Sequence, residues 1–147
     1  MDYGDVVTYP LPQYLEGKLQ RVQKAAAGFV TNRFAGLTDI IKLGWLPIKE
    51  RTELYLLRIT HKALYDPNWP STLPIEMCER ARSLRSSSTT QLVVPLQKGT
   101  LQDSAAKLFN NLPDDIRVET DYKTFMSKTS KLLMNNAKAR IETQNIS

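Results

Sequence analysis

The stretch IKERTELYLLRITHKALYD runs from Pro47 to Pro67 with no glycine or proline inside it. Each proline marks a boundary. Pro47 lacks only an N–H that the first helical position does not use. Pro67 disfavours helical backbone in the residue before it. The spacing therefore predicts one helix over 47–66. Its apolar residues are not confined to one stripe: Ile48, Tyr55 and Ile59 share a face, while Leu57 with Leu64 and Leu54 with Tyr65 lie on others. A helix that is apolar on several sides is buried on several sides, so the remaining elements must gather around this one. The expected fold is mainly α, a small helical domain with a central helix. His61, on that helix, is expected to be a packed or rim histidine rather than a ligand or base.

The flanking segments carry the same helical period. Leu15, Leu19, Val22, Ala26 and Phe29 recur at steps of three and four, which predicts a helix over 13–32 with this stripe in the core. Arg21 and Lys24 fall on the opposite face, with Lys18 at its edge. Gly36 breaks that helix, Thr38 can cap a short one over 39–43, and Gly44 can end it. Trp69 is expected to fold the loop PNWPSTLP back onto the body, ahead of a short helix over 74–81. Asp103 or Ser104 can cap a helix reaching Leu112. Asp114 and Asp115 suit a helix N-terminus. Asp121 can cap a last helix to about Ala137, with Tyr122, Phe125, Met126, Leu132 and Leu133 on one face and Lys123, Lys128 and Lys131 on the other. Residues 1–140 are expected as a single module, with 141–147 a frayed tail.

The stretch RSLRSSSTTQLVVP, residues 82–95, fits the helical pattern least. Its Ser/Thr run, 86–90, has no large side chain and is the best place for a subdivision. The segment after it is β-prone. A minor extended or β-ribbon element, with Leu84, Leu92 and Val94 inward, is the reading that fits both halves.

Charge is unevenly placed. Of 20 basic and 15 acidic residues, 1–79 hold nine of each, so the net +5 comes from 80–147. From Arg80 to Gln102 there are four basic residues and no acid. Such asymmetry suits a polyanionic partner. Cys78 is the only cysteine, which excludes an internal disulfide and fits a reducing, intracellular compartment. No apolar run approaches the roughly 20 residues of a membrane span, and MDYGDVVTYP has neither the basic nor the apolar region of a signal peptide.

Catalytic motifs are missing from the sequence. It contains no Gly-rich phosphate loop, no GxSxG and no HExxH. Asp114-Asp115 is the one adjacent acidic pair, and LPDD followed by IRV reads as helix capping. The Ser cluster has no histidine near it in sequence, and with one histidine in the chain no Ser or Cys triad is expected; Cys78 with His61 alone cannot supply a zinc site. No cofactor or metal is expected.

Several phrases, taken in order, resemble one family. MDYGDVVTYPLPQYLEGKLQRVQKAAAGFV is similar to the segment that follows the polymerase core in reverse transcriptases of non-LTR (LINE-like) retrotransposons. LGWLPIKERTELYLLRITHKALYD, RSLRSSSTTQLVVP and DSAAKLFNNLPDDIR are similar to phrases of that family's C-terminal region, in the same order, and FMSKTSKLL to its final helix. The resemblance covers about residues 1–133. It departs at Phe109, where the family usually has tryptophan before Asn-Leu-Pro. The family's catalytic aspartates sit in a Tyr-Ala-Asp-Asp-type hairpin that this sequence does not contain, so no catalytic residue carries over. The resemblance implies a non-catalytic C-terminal fragment of an RNA-directed DNA polymerase, positioned after the thumb.

The expected partners are an RNA or DNA backbone and the remainder of the reverse transcriptase polyprotein, with no membrane. Arg80, Arg82, Arg85 and Lys98 are the expected phosphate contacts, with Lys18, Arg21 and Lys24 as a second patch. Few exposed aromatics are expected, so binding would proceed by charge neutralisation without base readout. The competing reading is a structural or protein-interaction module with no nucleic-acid binding of its own. A helix-turn-helix reader is weaker, because no pair of short helices offers a recognition face.

Overall fold

The computed structural model describes residues 9–70, 75, 77 and 90–146. Among these residues there are six helices and no sheet: α1 (Gln13–Thr31), α2 (Leu37–Lys42), α3 (Ile48–Tyr65), α4 (Leu101–Asn110), α5 (Asp114–Arg117) and α6 (Tyr122–Ile146). The protein is mainly α, as the helical periods predict. Two compact units are distinguished, Met1–Leu54 with Thr129–Ser147, and Tyr55–Lys128. Their boundaries fall within α3 and α6. The Ser/Thr run 86–90 except Thr90, Leu84 and most of the expected helix over 74–81 lie outside the described residues.

In the first unit, the long helix α1 packs with the short α2. The core includes Ala27, Ile40, Leu133, Ala137 and Ile141. The expected α1 stripe is not the buried one. Val22 and Phe29 are exposed and Ala26 is exposed beside them, whereas Gln23 and Ala27 are buried. The reason is polar rather than apolar. The Gln23 side-chain amide donates to the Leu46 carbonyl at 2.7 Å, and the Gln20 side-chain oxygen accepts the Ile48 N–H at 3.1 Å. These glutamines satisfy backbone groups at the α2–α3 link that would otherwise lose water without a partner. α6 continues past Ala137 to Ile146, with Ile141 buried, so helix replaces the fray expected after Arg140.

In the second unit, Leu56, Leu57, Leu92, Ala105, Ala106, Phe109, Leu112, Ile116 and Phe125 are buried. The α3 residues among them, Leu56 and Leu57, are neighbours on one broad buried face, whereas Ile48, Leu54, Tyr55, Ile59, Leu64 and Tyr65, expected to be covered on several sides, are each only partly buried. Thr100 caps α4, in place of the Asp103 or Ser104 expected. Its hydroxyl accepts the Asp103 N–H, while the Asp103 carboxylate accepts the Gly99 N–H at 2.9 Å. The expected ribbon reduces, among the described residues, to one isolated antiparallel bridge between Met77 and Leu92. Leu92 points inward as expected, but Val94 is 43% exposed. The Asn110 side chain takes the place of a partner strand. It accepts the Leu92 N–H at 2.8 Å and donates to the Leu92 carbonyl at 3.0 Å.

Candidate nucleic-acid interface

The end of α1 is shaped by two residues that allow the chain to double back closely. Asn32 takes the left-handed conformation, φ 52°, and the Arg33 N–H reaches back to the Gly28 carbonyl at 3.1 Å. This is the six-to-one bond of a Schellman stop. The returning backbone passes so near α1 that a Cβ on Gly28 would lie 2.9 Å from the Arg33 carbonyl oxygen. The Thr31 hydroxyl adds a bond to the Ala27 carbonyl at 2.9 Å.

The far side of the turn is tied to α2. Arg33 pairs with Asp39 at 2.6 Å, and the other Asp39 oxygen accepts the Gly36 N–H at 2.9 Å. That backbone bond, joined by the Arg33 and Lys42 charges, holds the Asp39 carboxyl below its ordinary range against the opposing effect of desolvation. Gly36, rather than Thr38, is therefore the N-cap of α2.

Between helix and turn lies an open groove of about 600 Å³, lined by Arg21, Lys24, Gly28, Asn32, Arg33 and Phe34 together with Ala25 and Ala35. Arg21, Lys24, Ala25 and Gly28 recur at steps of three and four, so one face of α1 lines the groove, with Asn32 just past the helix end. Among the described residues no carboxylate pairs with Arg21 or Lys24. Asp39, which pairs with Arg33 of the groove, is also engaged by the Gly36 N–H.

Of the sequence-predicted contacts, the structure brings Arg21 and Lys24 together on this groove. Lys18 is exposed on α1 but does not line it; its ammonium sits 5.7 Å from the centre of the Tyr14 ring. Lys98 is exposed in the turn ahead of α4. Arg80, Arg82 and Arg85 lie outside the described residues. The expectation of few exposed aromatics is corrected here: Phe29 is 91% exposed and Phe34 fully so. Phe34, Asn32 and Arg33 are site residues that periodicity alone misses. The signal for them is the stretch NRFAG itself, an Asn able to take positive φ, followed by a cation and an aromatic inside a helix stop.

His61 has no place in this site. It is 2% exposed, its ring lies 4.4 Å from that of Phe125 and 4.7 Å from that of Tyr65, and its Nε2 is 3.1 Å from the Glu119 carbonyl. The carbonyl can only accept, so Nε2 carries the proton and donates. This is the packed histidine the sequence predicts. Asp114 and Asp115 lie in the first turn of α5, but its N-cap is Pro113 and no side chain caps the helix; Asp114 pairs with Arg117 instead.

Among the described residues no helix is long and apolar enough to cross a membrane, and no group of three or more His, Cys, Asp or Glu could hold a metal. Compared with protein-family models, curated proteins and solved structures, the chain matches none.

Proposed function

We propose that this chain is a non-catalytic module that holds a nucleic-acid backbone through its phosphates, and that it corresponds to the C-terminal region of a non-LTR retrotransposon reverse transcriptase. The observation that carries the binding reading is the pair Arg21 and Lys24, two cations that meet no acid partner among the described residues and line one open groove. Neutralising phosphates there releases condensed counterions, a driving force independent of sequence. The acid-free run from Arg80 to Gln102 adds charge of the same sign. The retrotransposon origin rests on the ordered phrases of the sequence alone.

A second reading has its own support. Val22, Phe29 and Val30 are exposed along α1, an apolar strip suited to a protein partner such as the remainder of the polyprotein. Titration of the chain with labelled RNA, DNA and hybrid duplex at two salt concentrations separates the two. Salt-sensitive binding supports the nucleic-acid reading. No binding to any of the three at low salt defeats it and leaves the protein-interaction module.

A further inference from the structure

We propose that the groove at the end of α1 takes one unpaired nucleotide of single-stranded RNA or DNA, its base stacked on Phe34 and its flanking phosphates held by Arg21 and Lys24. The inference rests on the nucleic-acid reading above and specifies the form of the strand.

Phe34 is the starting point. Its side chain is fully exposed, although burial of a phenylalanine is among the larger stabilising contributions a residue can make. Its backbone is nevertheless held on both sides. Asn32 and the Arg33-to-Gly28 bond fix the entry, and the Arg33–Asp39 pair with the Asp39-to-Gly36 bond fixes the exit. An apolar ring is thus presented to solvent from a well-tied turn.

The ring shares its groove with two cations. Phe34, Arg21 and Lys24 line one concavity, while Ala25, Gly28 and Ala35 leave its floor free of long side chains. An aromatic platform beside positive charge is the arrangement by which proteins hold single strands: every base has a π-face, and the backbone follows the charge. About 600 Å³ falls within the range of clefts that admit small ligands, roughly 300–1,000 Å³. Asn32, on the same groove, offers an amide donor and acceptor to a base edge. In a duplex the bases are stacked on one another, so only an unpaired strand can place one on Phe34.

The test uses the full chain and three probes: a short labelled oligothymidylate, the same backbone with abasic sites, and a duplex. The wild-type protein should prefer the oligothymidylate. Phe34→Ala should weaken its binding on the order of tenfold, leaving binding of the abasic strand and the salt slope unchanged. Phe34→Trp should retain affinity, and the emission of the added indole, measured against the wild-type background, should be quenched by oligothymidylate and not by the abasic strand. The quenching decides the matter should Phe34→Ala fail to fold. Wild-type affinity in Phe34→Ala, or unquenched emission in Phe34→Trp, overturns the stacking proposal while salt-sensitive binding keeps the phosphate reading. Failure of the wild-type protein to bind any probe removes both.

Discussion

Arg140 and Glu50, 90 residues apart, meet in a two-point ion pair: Nε to Oε1 and Nη2 to Oε2, each at 3.0 Å. The Glu50 side chain is 4% exposed and that of Arg140 30%. A parallel fork of this kind fixes orientation as well as charge. It ties the last turns of α6 to the start of α3 within the first unit. Arg140→Ala would leave a buried carboxylate without its cation and should cost about 3 kcal/mol. Changing both residues, Glu50→Leu with Arg140→Met, should recover most of the loss. Denaturant melts check both. A single variant as stable as wild type would show that the pair does not hold the helix end.

Leu57 is completely buried. Leu57→Ala should destabilise the protein by about 2–5 kcal/mol, the transfer loss plus the cavity left behind. A change near zero in a denaturant melt would contradict the buried position of α3.

Gly28→Ala sets two effects against each other. Alanine favours helix over glycine by about 1 kcal/mol. Its methyl, however, would meet the Arg33 carbonyl at 2.9 Å, a backbone atom that moves only with the whole turn, and overpacking of this kind costs about 1–3 kcal/mol. The clash should win, giving a net loss of about 1 kcal/mol in thermal or chemical melts. A more stable variant would mean that the turn yields freely.

Burial pushes the His61 pKa down; the bond to the Glu119 carbonyl and the nearby Asp121 and Glu119 charges oppose that shift without cancelling it. The unfolded state then takes up a proton near the ordinary value of about 6.5 while the folded state still resists. Stability is therefore fully present above that pH and declines as pH falls below it. Glu53, raised chiefly by desolvation, has the opposite sign and favours the folded state toward acid. Melting temperatures at pH 7.5 and 5.5 should fall less in His61→Gln than in wild type. An equal fall would remove His61 as the source.

The helices were largely legible, and prolines and Asp121 mark ends of α3 and α6, but the caps of α2 and α4 fall on Gly36 and Thr100 and α6 runs on to Ile146. Pro47 and Pro67 bracket α3, and Asp121 caps α6 through the Thr124 N–H at 2.8 Å. Less legible was which face of a helix is covered. The α1 stripe was visible as a period, yet its burial depends on where the α2–α3 link leaves unpaired backbone groups, and Gln20 and Gln23 answer that need. Apolar counting gives glutamine no weight. The side-chain pairing of Asn110 with Leu92 was hidden for the same reason: it joins residues 18 apart through an amide that no local pattern singles out. At the site, Arg21 and Lys24 were legible as a charged face. Phe34 was not, because it lies past the periodic helix and its exposure follows from the tight return over Gly28.

The most direct test of phosphate binding at α1 is the salt dependence of single-strand affinity for wild type and for Arg21→Ala/Lys24→Ala. Each phosphate contact on a single strand contributes about −0.7 to the slope of log K against log salt. Losing two should flatten the slope by about 1.4 and weaken different sequences alike, since phosphate contacts carry no sequence information. An unchanged slope in the double variant would contradict the account and assign these cations to the solvated surface.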